Sequence, residues 1–127
     1  MTTGFTPADV QAVLIRDGHM CSMGCGRPAR TGNHRANRGA GGYKGANRLA
    51  NACAICDSCN QRIEDDAVAA RKARELGVKI SRHDDPEIVP YYSQLFGMWA
   101  HLHDDGMTFD VTSEEIAAHL HAVASIV

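Results

Sequence analysis

Apolar positions in this chain come in short interrupted groups, and their period changes along its length. In "TPADVQAVLIRDG", Val10, Val13 and Leu14 recur at helical spacing behind Thr6 and Pro7. A hydroxyl cap and a proline whose missing N–H costs nothing at the first helical position predict a helix over residues 7–16. "HMCSMGCGRPAR" has no period and reads as a glycine-rich knuckle between two cysteines. "TGNHRANRGAGGYKGANRLANA" has few apolar residues and five glycines, which predicts a strand at 33–36 and then a long loop. From Asp57, "DSCNQRIEDDAVAARKARELG" is rich in strong helix formers and stops at Gly77. It predicts one helix over 57–76. "VKISRHDDPEIVP" predicts a short strand at 78–81 and a turn. Alternation on both sides of "DDG" in "GMWAHLHDDGMTFDV" predicts a hairpin. Thr112 and Ser113 ahead of Glu114 and Glu115 form an N-terminal capping signature, after which Ile116, Leu120, Val123 and Val127 share one helical face. Tyr91, Trp99 and Phe109 are expected to form a small core for this hairpin and helix.

A chain of 127 residues implies one compact α+β domain, and 44% hydrophobic residues supply only a small core that a bound metal would reinforce. No apolar run is long enough to span a bilayer. The start "MTTGFTPADV" lacks the basic and apolar segments of a signal peptide, so a reducing cytoplasmic compartment is expected. In that setting five cysteines read as thiols or metal ligands rather than as disulfides.

Charge divides the chain more sharply than its net of -2 suggests. Residues 18–56 contain no acid and carry Arg27, Arg30, Arg35, Arg38, Lys44 and Arg48. Residues 83–127 contain no Lys or Arg and eight acids. A basic module over 1–82 followed by an acidic extension over 83–127 is therefore expected, with the acid-free stretch as a polyanion contact. The acidic extension should repel DNA and is expected to dock a protein partner or a second copy of the chain. Failing that, it covers the back of the long helix.

Cys21 and Cys25 have three residues between them, and Cys56 and Cys59 have two. Two turns that each offer two thiolates suit a closed tetrahedral Zn2+ site, with softness favouring zinc over Mg2+ or Ca2+. Pairing Cys53 with Cys56 is the alternative. The Cys56–Cys59 pair is preferred because a helix begins directly after Cys56, which leaves Cys53 as a small buried residue.

With those pairs in place, "CGRPARTGNHRANRGAGG" and "ANRLANACAICDSCNQRIE" resemble the HNH endonucleases, in particular the small zinc-containing members common in bacteriophage genomes. The resemblance covers about residues 17–64. "GVKISRHDDPEIVP" is similar to the usual continuation in phage members. It implies a ββα-metal (HNH, or His-Me finger) core, to which the hairpin and helix are appended. It also implies a metal-dependent DNA endonuclease, phage-encoded and at work in the host cytoplasm beside packaging or recombination machinery. Residue by residue, it makes His34 the general base and Asn51 the residue that fixes the base's loop. Asn60 becomes a ligand of the catalytic metal, and Asn33 stands where the family usually has an Asp or His ligand. Glu64, four residues after Asn60, is the candidate to supply the charge that two asparagines lack.

The chemistry fits these residue types. A neutral imidazole can take a proton from water near neutral pH. A single Mg2+ or Mn2+ keeps several waters, so one or two protein oxygens suffice, and it counters the charge that develops on phosphate. Arg35, Arg38, Lys44 and Arg48 are the expected phosphate contacts. The competing reading is a zinc-stapled nucleic-acid-binding module without catalysis. "RGAGGYKG" lacks the Gly-Lys-Ser/Thr ending of a phosphate-cradling loop, and His101, His103, His119 and His121 lack partner spacing, so neither enters the site.

Overall fold

A computed structural model describes residues 4–37, 39 and 45–126, which places Arg38, Lys44 and Val127 outside the described residues. Its elements are α1 (Pro7–Arg16), β1 (Gly32–His34), a 3-10 turn (Leu49–Asn51), β2 (Ala52–Ala54), α2 (Asp57–Asp65), α3 (Ala67–Glu75), β3 (Tyr91–Ser93), β4 (Met98–Leu102), β5 (Thr108–Asp110) and α4 (Ser113–Ala124). The described residues thus form a small α+β structure with four helices and two antiparallel sheets.

Helix α1 begins as its sequence dictates. Thr6 accepts from the Asp9 N–H while Asp9 accepts from the Thr6 N–H, with Pro7 next to the cap. Val13 and Leu14 are buried against Phe5, Ala29, Ala52 and Ala54. At its end, Asp17 is buried, accepts from the Ala54 N–H at 2.9 Å, and is held two-pronged by Arg16. Arg16 also donates to the Ala52 and Leu49 carbonyls, which bolts α1 to β2 through a buried ion pair.

Strand β1 pairs with β2 so that Gly32 faces Ala54, Asn33 faces Cys53 and His34 faces Ala52. The strand expected at 33–36 therefore starts one residue earlier and is one residue shorter. Ala36 lies past its end and bridges in parallel to Ile80, and this single bridge is all that remains of the strand expected at 78–81.

The single helix expected over 57–76 is two helices. Asp66 leaves the helical region at φ -123 and ψ 118, ends α2, and caps α3 by accepting from the Val68 N–H. An aspartate favours a cap over a helix interior because its carboxylate competes for backbone N–H groups. Helix α3 ends in a Schellman motif, with the Gly77 N–H on the Arg74 carbonyl and the Val78 N–H on the Ala73 carbonyl. Gly77 has φ +71, and a Cβ there would lie 1.9 Å from the Pro90 carbonyl oxygen, so only glycine fits.

The second sheet runs β3-β4-β5, and β3 extends the expected hairpin by a strand. Tyr91, Ala100 and Leu102 face the main core, while Tyr92, Trp99, His101 and Phe109 share the opposite face. Trp99 packs edge-on to Tyr92 and His119, so α4 covers that face. The tail does not have the core expected from its aromatic residues. Tyr91 and Leu102 are buried in one cluster with Cys21, Cys53, Cys56, Cys59, Ile63 and Val78, and Phe109 is exposed. Burial of each such side chain contributes roughly 2 kcal/mol, so residues on both sides of position 82 hold one core together. The capping box of α4 forms on Thr112 and Glu115. No helix among the described residues is long and apolar enough to cross a membrane.

Candidate functional site

Cys21, Cys25, Cys56 and Cys59 converge, with their four sulfurs within 4.8 Å of one another. The first pair sits on a knuckle closed by the Cys21 N–H on the Arg27 carbonyl and fastened to β2 by the Ser22 N–H on the Ala54 carbonyl. The second pair sits at the start of α2, where Cys56 is the N-cap and its sulfur accepts from the Cys59 N–H. A tetrahedral Zn–S distance of about 2.3 Å requires sulfurs about 3.8 Å apart. Cys25 and Cys56 are 3.7 Å apart, so the residues fit the ion. The four cysteines could hold a metal ion such as zinc. Partial burial pushes the Cys56 thiol upward, but the N–H of Cys59 and the neighbouring thiols outweigh it and bring Cys56 down to about 7. Burial and the same close thiols push Cys21 and Cys59 up, so the cluster favours one thiolate at a time until a cation joins it. Cys53 stands apart. It is fully buried, burial pushes its thiol up to about 11, and it donates to the Val78 carbonyl. It is a core residue, and among the described residues no further group of three or more His, Cys, Asp or Glu could hold a metal.

His34 ends β1, half-buried, with its ring stacked on Phe5 at 4.4 Å between centroids. Its Nε2 lies 2.8 Å from Asn47 Oδ1. An amide oxygen accepts only, so Nε2 is the donor in this hydrogen bond; when the ring is neutral, that tautomer puts the lone pair on Nδ1. The main chain of His34 is fixed from behind by Lys79, whose Nζ donates to the His34 carbonyl at 2.8 Å and to Asn37 Oδ1 at 3.3 Å. Burial lowers Lys79 below the ordinary lysine value, and the charge of Glu64 acts in the opposite direction.

Asn51 is fully buried and closes the loop that follows His34. Its Oδ1 accepts from the Ala36 N–H at 2.8 Å, and its Nδ2 donates to the Ala36 and Ala46 carbonyls. Its own carbonyl accepts from the Arg35 N–H. One side chain therefore ties together both ends of the segment between residues 36 and 46.

Asn33 is half-buried and donates through Nδ2 to the Ile55 carbonyl, just ahead of α2. Successive strand residues alternate in direction, so Asn33 lies on the Cys53 side of the ribbon and His34 on the Ala52 side. Asn60 and Glu64 both fall within α2, so their spacing of four survives the break at Asp66. Glu64 is exposed and borders a cavity of about 230 Å³ that Lys79, Asn37 and Arg74 also line. None of Asn33, Asn60 and His34 lines that cavity.

Two of the expected phosphate contacts are otherwise engaged. Arg35 has no exposed surface. It donates to the carbonyls of Gly77, Ala50, Pro86 and Val89 at 2.7–3.0 Å, because a guanidinium in the core needs an acceptor for each N–H it turns inward. Burial pulls it down to about 10, so it stays charged at neutral pH. Arg48 is one-third exposed and faces Asp104 at 2.8 Å, Asp85 at 3.4 Å and Glu87 at 3.8 Å. The acidic extension thus lies against the basic loop. Little in the sequence marks Asn47, Lys79 or Asp104 as partners of this loop. The only local hint is the repeated "AN" of residues 36–37, 46–47 and 50–51, each of whose asparagines makes one of these loop contacts. No family model, no curated protein and no solved structure matches this chain.

Proposed function

We propose that this chain is a zinc-stapled, metal-dependent DNA endonuclease of the HNH kind, with His34 as its general base. The observation that carries the reading is the His34–Asn47 hydrogen bond of 2.8 Å, at the end of a strand that leads through a long basic loop to a second strand and a helix. In the proposed reaction, Nδ1 of His34 takes a proton from water and the water oxygen bonds to phosphorus. The bond to O3′ or O5′ must then break. The family's ends, a 5′-phosphate and a 3′-hydroxyl, require the P–O3′ bond to break, with the leaving oxygen protonated by solvent. Asn51 keeps the loop closed, and Lys79 keeps the main chain of His34 in place. Asn60 and Asn33, with Glu64 nearby, would hold one Mg2+ or Mn2+, which supplies counter-charge to the phosphate when bound. Arg38 and Lys44 remain as phosphate contacts. Packaging or recombination machinery remains the proposed neighbour of a phage-encoded enzyme in the host cytoplasm.

One observation favours a second reading. Asn33 and Asn60 are both neutral, Arg35 is buried and Arg48 faces three carboxylates, which suits a DNA-binding module that has lost catalysis. Incubating the zinc-loaded protein with supercoiled plasmid and Mg2+ or Mn2+ separates the two. The nuclease reading expects metal-dependent nicks that a DNA ligase can reseal, as 5′-phosphate and 3′-hydroxyl ends allow. Salt-sensitive DNA binding without cleavage under any divalent ion would leave the binding module.

A further inference from the structure

The 47–51 segment carries both side chains that organise the His34 loop, yet it is poorly fixed by its own sequence. Its 3-10 turn starts behind Arg48, which makes no side-chain cap. The first N–H groups of such a turn need acceptors from elsewhere. One comes from 54 residues away: Asp104 Oδ1 accepts from the Ala50 N–H at 3.1 Å, while Asp104 Oδ2 accepts from Arg48 Nε at 2.8 Å. Asp104 is itself held, its N–H on Glu87 Oε2 at 2.9 Å. Its neighbour Asp105 only accepts from the Met107 N–H within the β4–β5 turn.

We propose that Asp104, at the tip of the β4–β5 hairpin, is a positioning residue of the His34 site. It caps the turn that places Asn47 against the His34 ring and Asn51 inside the loop. The acidic extension is then a part of the catalytic module rather than a separate docking unit, and its charge near the basic loop is explained by this contact. The proposal rests on the nuclease reading for its effect on rate, but its effect on His34 is observable without any cleavage.

The test compares Asp104→Ala, Asp104→Asn and the control Asp105→Asn in the full zinc-loaded chain. Single-turnover cleavage by Asp104→Ala is expected to fall by about 10- to 100-fold, the scale of a misplaced catalytic group. DNA affinity should stay within about 2-fold, and Asp104→Asn, which keeps one acceptor, should lie between. Side-chain nitrogen NMR of His34 should show Nε2 protonation in the wild type and a mixture of tautomers in Asp104→Ala. Faster cleavage in Asp104→Ala would overturn the proposal, because it would mean that the carboxylate masks Arg48. So would an equal loss in Asp105→Asn. If the wild type cleaves nothing, the nuclease reading fails while the NMR comparison still decides: an altered His34 spectrum supports positioning, and an unchanged one ends it.

Discussion

Arg35 follows directly after the proposed base in a basic loop, and its burial makes a sharp prediction. Replacing it with methionine keeps much of the volume and removes every donor. Four carbonyls from three segments, at Ala50, at Gly77 and at Pro86 and Val89, then lose their partner in the interior. An unpaired buried acceptor costs about 1–3 kcal/mol, and the relief of removing a buried charge offsets part of the sum. Four unpaired acceptors, less that relief, give an expected net loss of about 3–5 kcal/mol. With an unfolding entropy of about 2.1 cal/mol/K per residue, that lowers Tm by roughly 10–20 °C. Arg35→Lys should rescue little, since one ammonium cannot span the same fork. Thermal and urea unfolding of the zinc-loaded variants measure this. An Arg35→Met protein that melts with the wild type would mean that these four hydrogen bonds add nothing to stability. The same holds if its defect is instead a fall of about 0.9 in the salt slope of DNA binding, as loss of one phosphate contact would give.

Two further outcomes follow from the same structure. Asn51→Ala leaves the Ala36 N–H and the Ala36 and Ala46 carbonyls unpaired and buried, and should cost on the order of 3 kcal/mol in urea unfolding with zinc content unchanged; a change under about 0.5 kcal/mol would contradict the loop closure. Because all four clustered cysteines border or belong to the main core, stripping metal with a chelator should abolish cooperative melting, and zinc affinity should fall as pH falls and the thiolates regain protons. A chelated protein that melts unchanged would rule out a structural role for the metal.

The features legible in the sequence are those fixed by neighbours along the chain. The capping boxes at Thr6 and Thr112, the turn at "DDG" and the stop at Gly77 each use residues within one or two turns of each other. The four cysteines were legible because paired spacing implies convergence across any distance. The break at Asp66 was hidden, since "EDDAVAAR" contains no Gly or Pro to mark it and the capping hydrogen bond to Val68 decides which aspartate ends the helix. Arg35 was misread because its acceptors lie 15, 42, 51 and 54 residues away, and no local pattern marks an arginine that folds inward. The shared core was hidden for the same reason. Tyr91 and Leu102 look like tail residues until the sheet lays them on the cysteine cluster.

In the proposed reaction His34, oriented by Asn47, takes the proton from water. The measurement that tests it most directly is single-turnover cleavage of supercoiled DNA by wild type and His34→Ala, matched for zinc content and Tm. His34→Ala is expected to cleave at least about 100-fold more slowly, the lower range for loss of a general base, with DNA affinity retained. Equal rates in the two proteins would contradict it.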